Sequence, residues 1–208
     1  MSTSTATPLC EEAICRCAEP FPERLSFAFQ PIIDFKSRTI FAQEALVRGP
    51  EGESAGSVLS KVTTENMHAF DRHCRIQALK SASRTLARRG ELLSLNTMPN
   101  AVYDPATCLR TTLAAATANG FPIDQIMFEM TEHEAVTNPD HFAMIVRSYK
   151  DMGFTTVLVH SEKDWSHEPV EARPATLEDI LKDDGPDHID YVTGDLAAFL
   201  EAARDTLK

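Results

Sequence analysis

Three polar residues stand where apolar strands end. Glu44 sits late in the strand that holds Gln43-Glu44-Ala45-Leu46, Asn96 closes Leu92-Leu93-Ser94-Leu95, and Glu129 follows Ile126-Met127-Phe128. A carboxylate is costly to bury unless it is paired or holds a metal. Two carboxylates and an amide oxygen are hard oxygen donors, suited to Mg²⁺, Mn²⁺ or Ca²⁺. A plainer alternative stays open on spacing alone. Each residue could pair with a nearby arginine or backbone amide, because no compact metal motif is present.

The elements that must position these residues follow from the pattern around them. Residues 25–33 and 39–47 are rich in apolar and β-branched types and predict two strands, with Asp34-Phe35-Lys36-Ser37 as a hairpin turn. Residues 57–62 predict a short helix. Residues 65–89 predict a long one, with Phe70, Cys74, Ile76, Ala78, Leu79, Ala82 and Leu86 as its apolar positions and Gly90 as its stop. Strands at 92–95, 126–130 and 154–159 then alternate with helices at 105–119 and 139–152. This alternation implies βα units and a parallel sheet, whose C-terminal strand ends form the active face. Periodicity does not choose between an open sheet and a barrel. Beyond His160 the regularity weakens to a loop over 161–174, a short helix at 175–182, a strand at 190–192 and an amphipathic helix at 194–207.

Five segments, in order and spacing, resemble the EAL family of bacterial cyclic-di-GMP phosphodiesterases. They are Phe29-Gln30-Pro31-Ile32, Gln43-Glu44-Ala45-Leu46-Val47-Arg48, Phe70-Asp71-Arg72, Leu95-Asn96-Thr97-Met98-Pro99 and Phe128-Glu129-Met130-Thr131-Glu132. The three letters EAL alone would carry nothing; the ordered set is specific and covers about residues 25–158. Leu46-Val47-Arg48-Gly49-Pro50-Glu51-Gly52 is similar to the subgroup related to BLUF blue-light sensors. The resemblance implies an α/β, TIM-like (β/α) barrel with an antiparallel first strand, in agreement with the hairpin. It implies Glu44, Asn96 and Glu129 as metal ligands, Arg48 as a contact to a phosphate of cyclic di-GMP, and Gln30 facing the nucleotide. The family chemistry is in-line attack of metal-activated water on a phosphodiester, giving linear pGpG. Mg²⁺ or Mn²⁺ would be the cofactor if the residual site is occupied.

The pattern then breaks. Aligned on Gly153-Phe154, the family's Asp-Asp-Phe-Gly run falls on Val159-His160-Ser161-Glu162. Valine has no donor atom, and imidazole suits zinc or iron better than magnesium. Glu162 or Asp164 could substitute only through a shifted loop. The family's lysine strand is echoed by Asp187-His188-Ile189-Asp190 without the lysine, and later motifs are missing before Lys208. The expectation is a barrel incomplete or modified at its C-terminal end, short of about two of eight βα units. Lost transition-state contacts cost several kcal/mol each, which predicts loss of turnover, no confident catalytic residue and no confident cofactor. Open sheet edges are association sites, so a homodimer or a protein partner is expected.

Composition bounds the rest. At 43% hydrophobic and 25% charged, the 208 residues read as a globular chain. A net charge of −11 argues against wrapping a nucleic-acid polymer. Residues 161–208 hold 13 acidic and 5 basic side chains, a solvated face or a docking surface for a basic partner. No apolar run approaches the roughly 20 residues that span a bilayer. The polar start, Met1 to Pro8, lacks the features of a secretory signal, which points to the cytoplasm. Five cysteines argue against a disulfide framework; Cys10, Cys15 and Cys17 have no standard zinc spacing and read as incidental thiols, with a metal or redox role as the alternative. The expected organisation is a flexible leader at 1–24 and an EAL-like domain at 25–208, family-like to 160 and a divergent acidic remainder from 161. The expected function is a degenerate EAL protein without phosphodiesterase activity that regulates by binding protein. An active phosphodiesterase and a non-hydrolysing cyclic-di-GMP receptor are the alternatives.

Overall fold

The computed structural model describes residues 21–34, 37–87, 89–130, 138–159 and 191–193. They fall into two compact units that divide after Glu134.

The first unit opens with the expected hairpin. Strands β1 (Ser26–Asp34) and β2 (Thr39–Arg48) pair antiparallel, with Phe29 opposite Ala45 and Gln30 opposite Glu44. The Asp34 carboxylate anchors the turn by accepting from the Ser37 backbone N–H at 3.2 Å and from its hydroxyl at 2.5 Å. Strands β3 (Leu92–Asn96) and β4 (Ile126–Glu129) then add in parallel, giving the order β1-β2-β3-β4.

Helices α1 (Ala55–Leu59), α2 (Met67–Thr85) and α3 (Pro105–Ala118) connect the parallel strands. The α3 start is a side-chain cap: Asp104 accepts from the Thr107 N–H at 3.1 Å, with Pro105 in the first turn. Gly120, at φ +67°, lets the chain turn out of α3. Helix α2 is shorter at both ends than the expected 65–89. A turn in which Thr63 N–H donates to the Asn66 side chain at 2.8 Å takes up its first residues, and Leu86 caps its end.

One face of the sheet carries the core. Phe29, Ala45, Leu95 and Phe128 lie in register across all four strands and pack, with Leu93 and Ile126, against Ala78, Leu79, Ala82 and Ala116. The alanines let the helices approach closely. Fully buried Leu79 and Leu93 each contribute about 1.5–3 kcal/mol by leaving water. A smaller cluster joins Phe21, Val58, Ala69 and Phe70, with the Phe21 and Phe70 rings edge to face at 5.1 Å. Phe21 thus packs tightly although it falls in the segment expected as leader.

In the second unit, α4 (Pro139–Asp151) is capped by Asn138, which accepts from the His141 N–H at 3.0 Å. Strand β5 (Val157–Val159) pairs parallel with β6 (Tyr191–Thr193). The expected helices at 175–182 and 194–207, and Cys10, Cys15 and Cys17, lie outside the described residues. Among the described residues no helix is long and apolar enough to cross a membrane.

Candidate functional site

Successive residues of a strand face opposite ways. Since Phe29, Ala45, Leu95 and Phe128 face the helices, their neighbours Gln30, Glu44, Ser94 and Met127 form a row on the other face. One pleat further toward the C-terminal ends, Asn96 stands opposite Glu129. The structure therefore brings Glu44, Asn96 and Glu129 to one side and one end of the parallel strands. Asn96 Nδ2 donates to Glu44 Oε1 at 2.8 Å. That contact uses the amide nitrogen and leaves the amide oxygen for another partner.

Glu129 is the strained member. Burial pushes its pKa up; proximity of the Ser94 hydroxyl opposes the shift, and the Glu44 charge adds to it. Among the described residues neither Glu44 nor Glu129 forms an ion pair with lysine or arginine. Among the described residues, then, the plainer alternative of arginine pairing finds no partner for either carboxylate. Two carboxylates without a cationic partner among the described residues, beside an amide oxygen, fit a hard divalent cation. The set is small: among the described residues no three His, Cys, Asp or Glu side chains gather as a ligand group.

Of the two expected nucleotide contacts, Gln30 lies beside the trio and Arg48 stands at the end of the strand that holds Glu44. Gln30 is exposed on the edge strand, directly opposite Glu44. Arg48 ends β2, and its Nη1 donates to the Val47 carbonyl at 2.8 Å, so the side chain lies back along its own strand.

Asn96 owes its place to a buried clamp. Asp71 of α2 accepts from Arg75 Nε at 3.1 Å and Nη2 at 2.8 Å, and its other oxygen accepts from the Met98 backbone N–H at 3.0 Å. Arg75 Nη1 donates to the Cys108 carbonyl at 3.3 Å and to the Thr112 hydroxyl of α3. His68 bonds the Ala101 carbonyl, and Thr97 N–H donates to the Glu129 carbonyl at 2.8 Å. The loop after Asn96 is thereby fastened to α2, α3 and β4 at once. Sequence reasoning met Asp71 only as a motif letter and missed Arg75 and Ser94. The available signal was an Asp-Arg pair four residues apart inside the apolar stripe of α2. Cys74 and Cys108 are free thiols whose pKa values burial pushes up, so neither is a ready nucleophile.

Val159 is the last residue of β5. His160, Glu162, Asp164 and the 187–190 segment lie outside the described residues.

The EAL domain family model matches residues 22–167. The blue light- and temperature-regulated antirepressor BluF of Escherichia coli (strain K12) is 28% identical over 134 residues, covering 64% of this chain and 33% of BluF. The chain thus spans a third of that relative's length. Among solved structures, the standalone versatile EAL protein from Vibrio cholerae O395, in its c-di-GMP-bound form, is 44% identical with a TM-score of 0.59; the match covers 66% of this chain and 57% of that one. Klebsiella pneumoniae BlrP1, as the manganese/cyclic-diGMP complex at pH 9.0, has a TM-score of 0.63 at 20% identity, over 90% of this chain and 49% of that one. The fold is that of these proteins, a TIM-like α/β barrel, and the antiparallel β1 agrees with the expectation.

Proposed function

The chain belongs to the EAL domain family, and we propose that it is a degenerate member that has lost phosphodiesterase turnover and regulates, in the cytoplasm, by binding protein. The observation that carries this reading is Val159, where the family pattern has an aspartate. Metal-assisted hydrolysis needs cations held firmly beside a well-aimed water, and a hydrocarbon side chain supplies no oxygen for either task. Glu44, Asn96 and Glu129 would hold a lone Mg²⁺ or Mn²⁺, whereas Gln30 and Arg48 would meet a nucleotide only if the chain is a receptor. A bound ion would neutralise phosphate charge there. We take 25–160 as the family-like part, the acidic remainder, 161–208, as a face for a basic partner, and open sheet edges as the place for a partner protein or a second copy. The name of BluF, an antirepressor, supports a regulatory role.

A non-hydrolysing cyclic-di-GMP receptor is the second reading, favoured by the 44% identical Vibrio chain, whose structure holds c-di-GMP. Two measurements separate the readings. Incubation with cyclic di-GMP and Mg²⁺ or Mn²⁺ should release no pGpG; release overturns the loss of turnover. Calorimetry with cyclic di-GMP should give no heat, whereas micromolar or tighter binding makes the chain a receptor.

A further inference from the structure

Ser94 interrupts the apolar run Leu92-Leu93-Ser94-Leu95. Its side chain is fully buried, and its Oγ has no hydrogen-bond partner among the described residues. Buried hydroxyls are nearly always bonded, so an unmade bond at the centre of a sheet needs a reason. Leu93 and Leu95 face the helices, which turns Ser94 to the carboxylate side. There it stands in register between Glu44 of β2 and Met127 of β4, two residues short of the Asn96–Glu129 pair. Its hydroxyl is near enough to Glu129 to act on that carboxylate, though the contact lacks hydrogen-bond geometry.

The two glutamates therefore differ in support. Glu44 already has its orienting donor in the Asn96 amide. Among the described residues Glu129 has only a donor held in reserve. We propose that Ser94 is a positioning residue of the cation site, whose hydroxyl bonds one oxygen of Glu129 when the other turns onto a divalent ion. Carboxylate ligands need such outer hydrogen bonds to fix their orientation, and losing one weakens metal binding about 10–100-fold. This role rests on the reading of Glu44, Asn96 and Glu129 as ligands.

The test is Mn²⁺ titration of the full chain, followed by the electron paramagnetic resonance of the free ion, with thermal unfolding of the metal-free protein alongside. In S94A, Mn²⁺ affinity should fall about 10–100-fold. Unfolding should stay unchanged or shift upward, because the substitution removes an unbonded buried hydroxyl. S94T keeps the hydroxyl and should recover most of the affinity. Wild-type affinity in S94A overturns the role of Ser94 and leaves the ligand reading intact. So does an affinity loss in S94A that merely tracks a lowered unfolding temperature. A wild-type chain that takes up no Mn²⁺ overturns both.

Discussion

Two groups of acids serve the same loop of this protein, and they are finished to different degrees. Asp71 is buried on the helix side and accepts three hydrogen bonds, two from Arg75 and one from the Met98 N–H. Glu129 is half-buried on the other face, with its pKa raised by burial and by Glu44. Both carboxylates lose water, but among the described residues only the first has a full set of donors. The difference separates two uses of a buried charge. A saturated pair fixes geometry, whereas an unsaturated one is an invitation to a ligand.

The largest expected effect tests the saturated side. Asp71→Ala leaves Arg75 buried without its counter-ion and should cost about 3–5 kcal/mol in urea unfolding. If the variant unfolds like the wild type, the clamp is not what holds the loop after Asn96, and the contrast with Glu129 collapses.

The unsaturated side should respond with the opposite sign. Glu129→Gln removes a carboxylate that the fold disfavours, so metal-free stability at neutral pH should hold or rise. The direction follows from linkage. With its pKa raised in the folded state, Glu129 binds its proton more tightly there than in the unfolded chain. Wild-type stability therefore falls as pH climbs from the ordinary value of 4.5 through the raised one, and the variant should lack this segment of the pH profile. The same change should weaken Mn²⁺ binding by more than the roughly 10–100-fold cost of losing a supporting hydrogen bond. Destabilisation comparable to that of Asp71→Ala would place Glu129 in a structural network after all.

A smaller effect probes how far the clamp reaches. Thr112→Val removes a hydroxyl that accepts from Arg75 and should cost about 1–3 kcal/mol, while the Asp71 contacts persist. Chemical-shift changes at Asn96 in this variant would show that α3 takes part in placing the ligand loop. Changes confined to α3 would limit the clamp to Asp71 and Met98.

The two sides also differed in how far residue order revealed them. Apolar and β-branched richness on either side of the Asp34-Phe35-Lys36-Ser37 turn forecasts the hairpin, and the ordered EAL-like segments point to Glu44, Asn96 and Glu129. Periodicity sees such residues because they are polar at the ends of apolar runs. It does not see Asp71 and Arg75, since a charged residue inside a helical stripe reads as solvent-facing until its partner on another element is known. Ser94 was invisible for a related reason: one hydroxyl in a strand of leucines says nothing until the register with β2 and β4 decides which face it takes. The Asn96–Glu44 bond joins residues 52 apart in sequence, and no local pattern encodes that distance.

The smallest effect belongs to a group between the two extremes. His73, on α2, faces a groove of about 620 Å³ that it shares with Phe21, Glu23, Arg24, Lys80 and Arg84. Burial lowers its pKa, and neighbouring Arg72 lowers it further. The imidazolium is thus disfavoured by the fold, so stability is complete above the unfolded value of 6.5 and declines as pH falls through it toward the lowered one. Glu23, the acid of the groove, is already paired with Lys61 at 2.8 Å and offers little relief. His73→Gln should flatten this decline in thermal unfolding followed from pH 7.5 to about 5. Water still reaches the half-buried ring, so the change should be smaller than that of Thr112→Val. A decline steeper than the Glu129 segment would mean that local repulsion from Arg72, rather than the degree of burial, ranks these groups.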